Sequence, residues 1–249
     1  MDGVHGYFRS HARRLYNTCK RFGLFSRNLG DVLEIGPFYS YTPFILRAAS
    51  SSYTVLEGGD PIVYPLKALY ENYSVHLRYV DFFELFGPTK SAPHLLPLPD
   101  NQFDTILCWE TMEHFNFNPI KFVRELYRVV KPGGKVCITV PNRASVYNLL
   151  RLLLGLHEKK EIDAFYQFED YESNGKKAFF GFHWREYTAS ELNQLFYQAG
   201  FKIEILGSFN DFDSNSPLTL LRRLKRGLYH AGTFVFPRYR FNIYLIASK

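Results

Sequence analysis

The 249-residue sequence predicts an α/β fold built on a doubly wound, mostly parallel sheet with helices on both faces. Three observations carry that reading. Short apolar runs alternate with stretches of helical spacing from residue 32 onward, one βαβ unit is legible end to end between Phe103 and Asn142, and the first apolar run closes on a glycine turn. A hydrophobic content of 46% is enough for one large domain with a substantial core.

Residues 5–25 place Phe8, Leu15, Cys19 and Phe22 on one face of an N-terminal helix. Strands follow at 32–35, 53–57 and 75–80, separated by helical stretches around 43–49 and 64–73. FDTILCW, from Phe103, reads as a buried strand, and Asn118-Pro119 starts a helix with proline in its first turn. Ile120, Val123, Leu126 and Val130 form that helix's apolar stripe, Lys131-Pro-Gly-Gly134 stops it, and KVCITV enters the next strand. Residues 143–187 then break the alternation with many aromatics, among them Tyr147, Phe165, Phe179 and Trp184. A segment inserted after a strand's carboxyl end lies near the ligand crevice of such sheets, so it is expected to be a lid. Thr188-Ala-Ser-Glu191 has the form of a capping box for a helix ending at Ala199-Gly200, and FKIEILGSF and RFNIYLIAS close the sheet. The expected organisation is a single domain over 1–249: an N-terminal helical cap (1–29), a cofactor-binding half (30–142), the lid (143–187) and a C-terminal half (188–249).

Composition narrows the function. A net charge of +6 is small for this length and spread along the chain, so a dedicated nucleic-acid binder is not indicated. Cys19, Cys108 and Cys137 have no metal-ligand spacing and read as buried reduced thiols, and no metal is expected. With no signal-peptide pattern and no apolar run long enough to span a bilayer, a cytoplasmic protein is expected. Arg222, Arg223, Lys225 and Arg226 beside leucines read as the solvated face of a packed helix, with contact to a phosphate-bearing substrate or an anionic membrane surface as the alternative.

In VLEIGPFYS an apolar strand ends in Glu34 and turns through Gly36 toward a helix, where glycine lets the backbone approach a ligand. The next strand ends at Glu57, about 20 residues on, where a carboxylate can accept both ribose hydroxyls; Asp60 is the rival. Asp81, followed by Phe82, can accept from an adenine amino group while its apolar neighbour covers the ring; the bland reading is that Asp81 caps a turn.

The stretch LPLPDNQFDTILCWETMEHFNFNPIKFVRELYRVVKPGGKVCITVPN resembles the class I S-adenosylmethionine-dependent methyltransferases, especially their small-molecule branch of quinone- and sugar-modifying enzymes. The resemblance covers roughly residues 30–142 and resumes at HWREYTASELNQLFYQAGF. It implies a Rossmann-like, seven-stranded sheet and S-adenosyl-L-methionine as cofactor. Glu34, Gly36 and Pro37 would lie against its methionine and ribose part, Glu57 on the ribose, and Asp81 and Phe82 on the adenine. Cys108 and Trp109 would line the methionine pocket largely through backbone. Glu113-His114 matches the family's Glu-His pair on the substrate side, joined by Tyr39 and Trp184. The chain departs from the family at Phe38 and Ser40, where two further glycines are usual.

Methyl transfer from a sulfonium is an in-line displacement that depends on alignment. For a hydroxyl acceptor a base must take the proton, and His114, then His183, is the expected base. The expected function is methylation of a small molecule such as a sugar, lipid-linked or other hydroxyl-bearing metabolite. A non-catalytic scaffold, or an enzyme acting on protein or RNA, stands as the alternative.

Overall fold

The computed structural model describes residues 2–38, 40–58, 67–87, 95–156, 183–210 and 219–249, with only the backbone of 2–10 and 220–222. Tyr39, Asp60 and residues 157–182, the larger part of the expected lid, lie outside the described residues. In chain order the elements are α1 (Asp2–Arg21), β1 (Asp31–Ile35), α2 (Thr42–Leu46), β2 (Ser52–Glu57), α3 (Lys67–Asn72), β3 (His76–Tyr79), α4 (Phe82–Phe86) and β4 (Phe103–Trp109). Then come α5 (Pro119–Val129), β5 (Val130–Pro141), α6 (Val146–Leu153), α7 (Ala189–Gln198), β6 (Lys202–Phe209), α8 (Leu220–Val235) and β7 (Asn242–Ser248).

The strands form one seven-stranded sheet in the order β3-β2-β1-β4-β5-β7-β6. All pairings are parallel except those of β7, which runs antiparallel between β5 and β6. Chain progression reverses between β1 and β4, whose ends are in register at Ile35 and Cys108, and a crevice opens outside strand ends at such a reversal.

Both faces of the sheet are covered, which is why the strands read as continuous apolar runs rather than alternating ones. Successive residues serve opposite cores. Leu33, Ile35, Leu56, Ile106 and Cys108 pack with Phe82 and Phe86 of α4, Phe122 and Leu126 of α5 and Phe196 of α7. Val32, Tyr53, Val55, Leu107 and Trp109 pack against Leu15, Cys19 and Phe22 on the other side. The N-terminal helix is therefore part of the core and not only a cover.

Local chemistry sets the element ends. The Asn118 side chain accepts from Ile120 N at 3.1 Å and Pro119 opens α5, while Thr188 and Glu191 form the reciprocal capping box of α7. The buried stripe of α5 is Phe122, Val123, Leu126 and Val129; Ile120 is half-buried, and Val130, expected on the helix, already has extended geometry and starts β5. At the amino edge, Lys131 Nζ bridges Asp31 at 2.9 Å and Asp104 at 2.7 Å, tying the starts of β1 and β4 to the turn into β5. Helix α8 forms as expected, and its described leucines, Leu224 and Leu228, are exposed.

The two glycines near the start of β5 do different work. Gly133 has φ +77 with open space where a Cβ would be, whereas a Cβ on Gly134 would lie 2.8 Å from Val130 Cγ2 and 2.9 Å from the Lys131 carbonyl oxygen. Gly133→Ala should cost about 1 kcal/mol from the left-handed backbone alone. Gly134→Ala should cost more than about 2 kcal/mol, because backbone must move. Urea denaturation of the two variants measures both; the opposite ranking would refute this view of the turn.

Candidate functional site

The loop after β1 lies at the strand-order reversal and is held from two sides. Gly36 has φ +59, and a Cβ there would meet Thr111 Cγ2 at 2.7 Å, so the glycine is required both by conformation and by close approach of the segment after β4. Thr111 Oγ1 donates to the Trp109 carbonyl at 2.9 Å and lies 3.3 Å from that of Ile35, which locks the two strand ends together.

Glu34 does not reach the ligand edge as the resemblance implied. Its carboxylate is fully buried, accepting from Tyr53 OH at 2.6 Å and from the Thr42 hydroxyl. Ser40 Oγ lies 2.7 Å from Thr42 Oγ1 and accepts from Thr42 N at 3.0 Å. This buried chain of polar groups fastens the loop and the first turn of α2 onto β1, and it explains the serine where the family has glycine. Phe38 takes the other glycine position with φ +36, a left-handed geometry costly for a bulky residue, and its amide donates to Glu57 Oε2 at 3.0 Å.

Glu57, at the end of β2, also accepts from Gly58 N at 3.2 Å. Burial raises its pKa to about 7, against the lowering effect of the two amides. Buried Pro37 accepts from Ser40 N at 3.0 Å, and Gly36 N donates to Leu56 O at 2.8 Å. The described loop amides of Gly36, Phe38 and Ser40 are thus all committed to protein acceptors, leaving no row of free N–H groups to cradle a pyrophosphate. A nucleoside without phosphates fits this edge better. Each Glu57 oxygen keeps a second lone pair for a ribose hydroxyl.

The Asp81 side chain is the N-cap of α4, accepting from Glu84 N at 2.8 Å, and is exposed, so its second oxygen faces solvent beside β3. Phe82 is placed differently from the expectation: its ring is buried against Phe115 and Phe122 in the core, so it offers no face to an adenine. Cys108 is fully buried, its thiol pKa pushed up by burial, and can contribute only through backbone. Trp109 turns its ring onto Phe22, with centroids 4.9 Å apart, and its buried indole N–H has no acceptor among the described residues.

Beyond β4 the acidic and basic groups gather. Glu110 adopts φ +48 and faces Arg14 of α1, Nη1 to Oε2 at 3.8 Å. Glu113 is fully buried in the short turn Met112–His114, and neither carboxylate oxygen has a hydrogen-bond partner among the described residues. Burial, then the nearby Glu110, holds its pKa well above the ordinary value. The Glu113 carbonyl accepts from Trp184 N at 2.7 Å and Arg185 N at 3.2 Å, anchoring the returning chain. That anchor brings His183 to His114, with ring centroids 5.0 Å apart at 81°. The structure therefore brings together Glu113, His114, His183 and Trp184.

A seven-stranded sheet of this order, parallel except at β7, defines a class I methyltransferase architecture. A family model of the methyltransferase domain matches residues 7–205, and the chain belongs to that family, which implies S-adenosyl-L-methionine as cofactor. A Mycolicibacterium smegmatis protein described as a probable S-adenosylmethionine-dependent methyltransferase is 28% identical over 181 residues, 72% of this chain and 55% of its own length. The ubiquinone biosynthesis O-methyltransferase of Pseudomonas putida is 42% identical over 52 residues, 21% of this chain and 22% of its own. The chain thus spans about half, or less, of the curated relatives it matches. Among solved structures, a chain from the Haloferax volcanii complex of the Trm112 methyltransferase activator with a methyltransferase superposes with TM-score 0.61 and 16% identity, covering 98% of this chain and 93% of that one.

Sequence reasoning missed Thr111, Thr42, Tyr53 and Glu110. Thr111 and Glu110 lie inside the quoted motif, but their roles depend on contacts across strands that no spacing encodes. Burial raises the Glu34 pKa to about 7 despite the opposing hydroxyls. A carboxyl whose folded pKa exceeds its unfolded value gives the native state the extra proton, so stability falls as pH rises from about 4.5 through 7. Glu34→Gln should narrow the difference in urea midpoint between about pH 5 and 8. An undiminished difference would show that Glu34 does not titrate in this window.

Proposed function

We propose that the protein transfers the methyl group of S-adenosylmethionine to a small, hydroxyl-bearing acceptor seated over Glu113, His114 and His183. The observation that carries this reading is the placement of that polar cluster at the carboxyl end of β4, beside the strand-order reversal where the cofactor's sulfur belongs. The cofactor supplies the electrophilic methyl. Glu57 binds the ribose, Asp81 offers its free oxygen to the adenine amino group, and the backbone at Gly36, Pro37, Cys108 and Trp109 borders the methionine part. The two histidines and Glu113 activate and orient the acceptor oxygen, with Trp184 at their side. Support for a hydroxyl acceptor comes from the polar cluster and from the partial match to an O-methyltransferase.

Two measurements follow. Ribose hydroxyls donating to Glu57 favour its charged form, so the bound pKa falls below its free value of about 7. Binding of S-adenosylhomocysteine should therefore tighten between about pH 6 and 8 with release of up to about one proton. Calorimetry in buffers of different ionisation enthalpy reads this directly. Glu57→Gln should weaken binding about tenfold and abolish the pH dependence; pH-independent binding by the unmodified chain contradicts the assignment. In a hydroxyl-acceptor screen with labelled S-adenosylmethionine, His114→Ala should lower turnover about a hundredfold while changing cofactor affinity less than about twofold. An unaffected rate would remove His114 from the acceptor site.

A further inference from the structure

We propose that Glu113, His114 and His183 form a binding site for a divalent first-row transition-metal ion of the Zn²⁺ or Mn²⁺ kind, with coordination positions open to the acceptor. Each residue offers one ligand atom, and these atoms all lie within 4.8 Å of one another; His114 Nε2 and Glu113 Oε1 are 4.0 Å apart. Two donors each about 2.1 Å from one ion are at most about 4.2 Å apart, so small side-chain rotations complete the site.

Charge points the same way as geometry. Glu113 is fully buried with both oxygens lacking a hydrogen-bond partner among the described residues, and its near neighbour Glu110 adds charge of the same sign. Arg14 offsets that charge only in part, being 3.8 Å from Glu110. A buried carboxyl group beside two imidazoles, its oxygens without hydrogen-bond partners among the described residues, gains from a cation, and a metal ion supplies one.

The surrounding groups are also those of a ligand shell. His183 Nδ1 lies 3.2 Å from Glu186 Oε1; with the proton on Nδ1, the lone pair on Nε2 is the one to donate, and the carboxylate fixes the ring. His183 is exposed, which gives an ion a way in. Two imidazoles and one carboxylate favour transition metals over Mg²⁺ or Ca²⁺, which take all-oxygen sets, and three protein ligands leave room for substrate. Cysteine and histidine spacing could not reveal the site because His183 lies in a segment far along the chain from Glu113-His114, and the Glu113 carbonyl helps to anchor that segment beside them.

The ion's use, though not its binding, rests on the methyl-transfer reading. The acceptor's hydroxyl oxygen enters an open position, and the ion lowers its pKa so that the proton passes to solvent. That oxygen forms the new C–O bond while the S–CH₃ bond breaks, its electron pair remaining on sulfur. The products are a methyl ether and S-adenosylhomocysteine. His114, expected from sequence to be the base, then spends its lone pair as a ligand.

The test uses the full chain without an affinity tag, stripped with EDTA and titrated calorimetrically with Zn²⁺, Mn²⁺ and Mg²⁺; S-adenosylhomocysteine is titrated in parallel. About one Zn²⁺ or Mn²⁺ per chain should bind, with Mg²⁺ weaker. His183→Ala, at an exposed position, and Glu113→Gln should each lose at least about tenfold in metal affinity with S-adenosylhomocysteine binding retained. Absence of metal binding, equal binding by both variants, or preference for Mg²⁺ overturns the proposal. If homocysteine-product binding persists without metal binding, only the metal site falls; metal binding without it leaves the site standing and removes the methyl-transfer reading.

Discussion

The ligand edge of this protein depends on one buried carboxylate. Glu34, near the end of β1, has its carboxyl group in the core, and the hydroxyls of Tyr53 and Thr42 are what make that position tolerable. Through Thr42 and Ser40 the same group fixes the start of α2, and so the path of the chain from Gly36 onward. A glycine-rich loop would gain its shape from conformational freedom. Here the shape comes from a satisfied polar network, which holds even Phe38 in a left-handed geometry and delivers its amide to Glu57.

The consequence is a site whose donors are already spoken for. The described loop amides that would cradle phosphates in a dinucleotide-binding domain are bound to protein acceptors, and the buried polar groups after β2 and β4 are acidic: Glu57 and Glu113. Both are buried enough to resist ionisation, so both sites gain from a partner that stabilises the charged form. At Glu57 the proposed partner is a pair of ribose hydroxyls, and at Glu113 it is the proposed cation.

Much of the fold was legible in the chain because local chemistry specified it. The Asn118-Pro119 start, the glycine turn near the start of β5 and the Thr188–Glu191 capping box each act within a few residues, and parallel strands buried on both faces stand out as apolar runs. The site was legible only where one residue type has one use. The place of Glu57 at the end of β2 follows from strand spacing; the direction of Glu34 and Phe82 does not, because such a side chain can point to either face and its neighbours decide. The meeting of His114 with His183 was beyond reach for the same reason, since it depends on a backbone carbonyl catching a segment that returns from a long insertion. Membership of the methyltransferase family accounts for the architecture and the cofactor.

On the proposed function, one edge of the sheet places a methyl donor between Glu57 and the Glu113–His114–His183 cluster. A crystal structure with S-adenosylhomocysteine tests that placement. The expected result is ribose hydroxyls on the Glu57 carboxylate and the sulfur opening toward the two histidines. A ligand bound elsewhere, or a sulfur turned away from that cluster, refutes it.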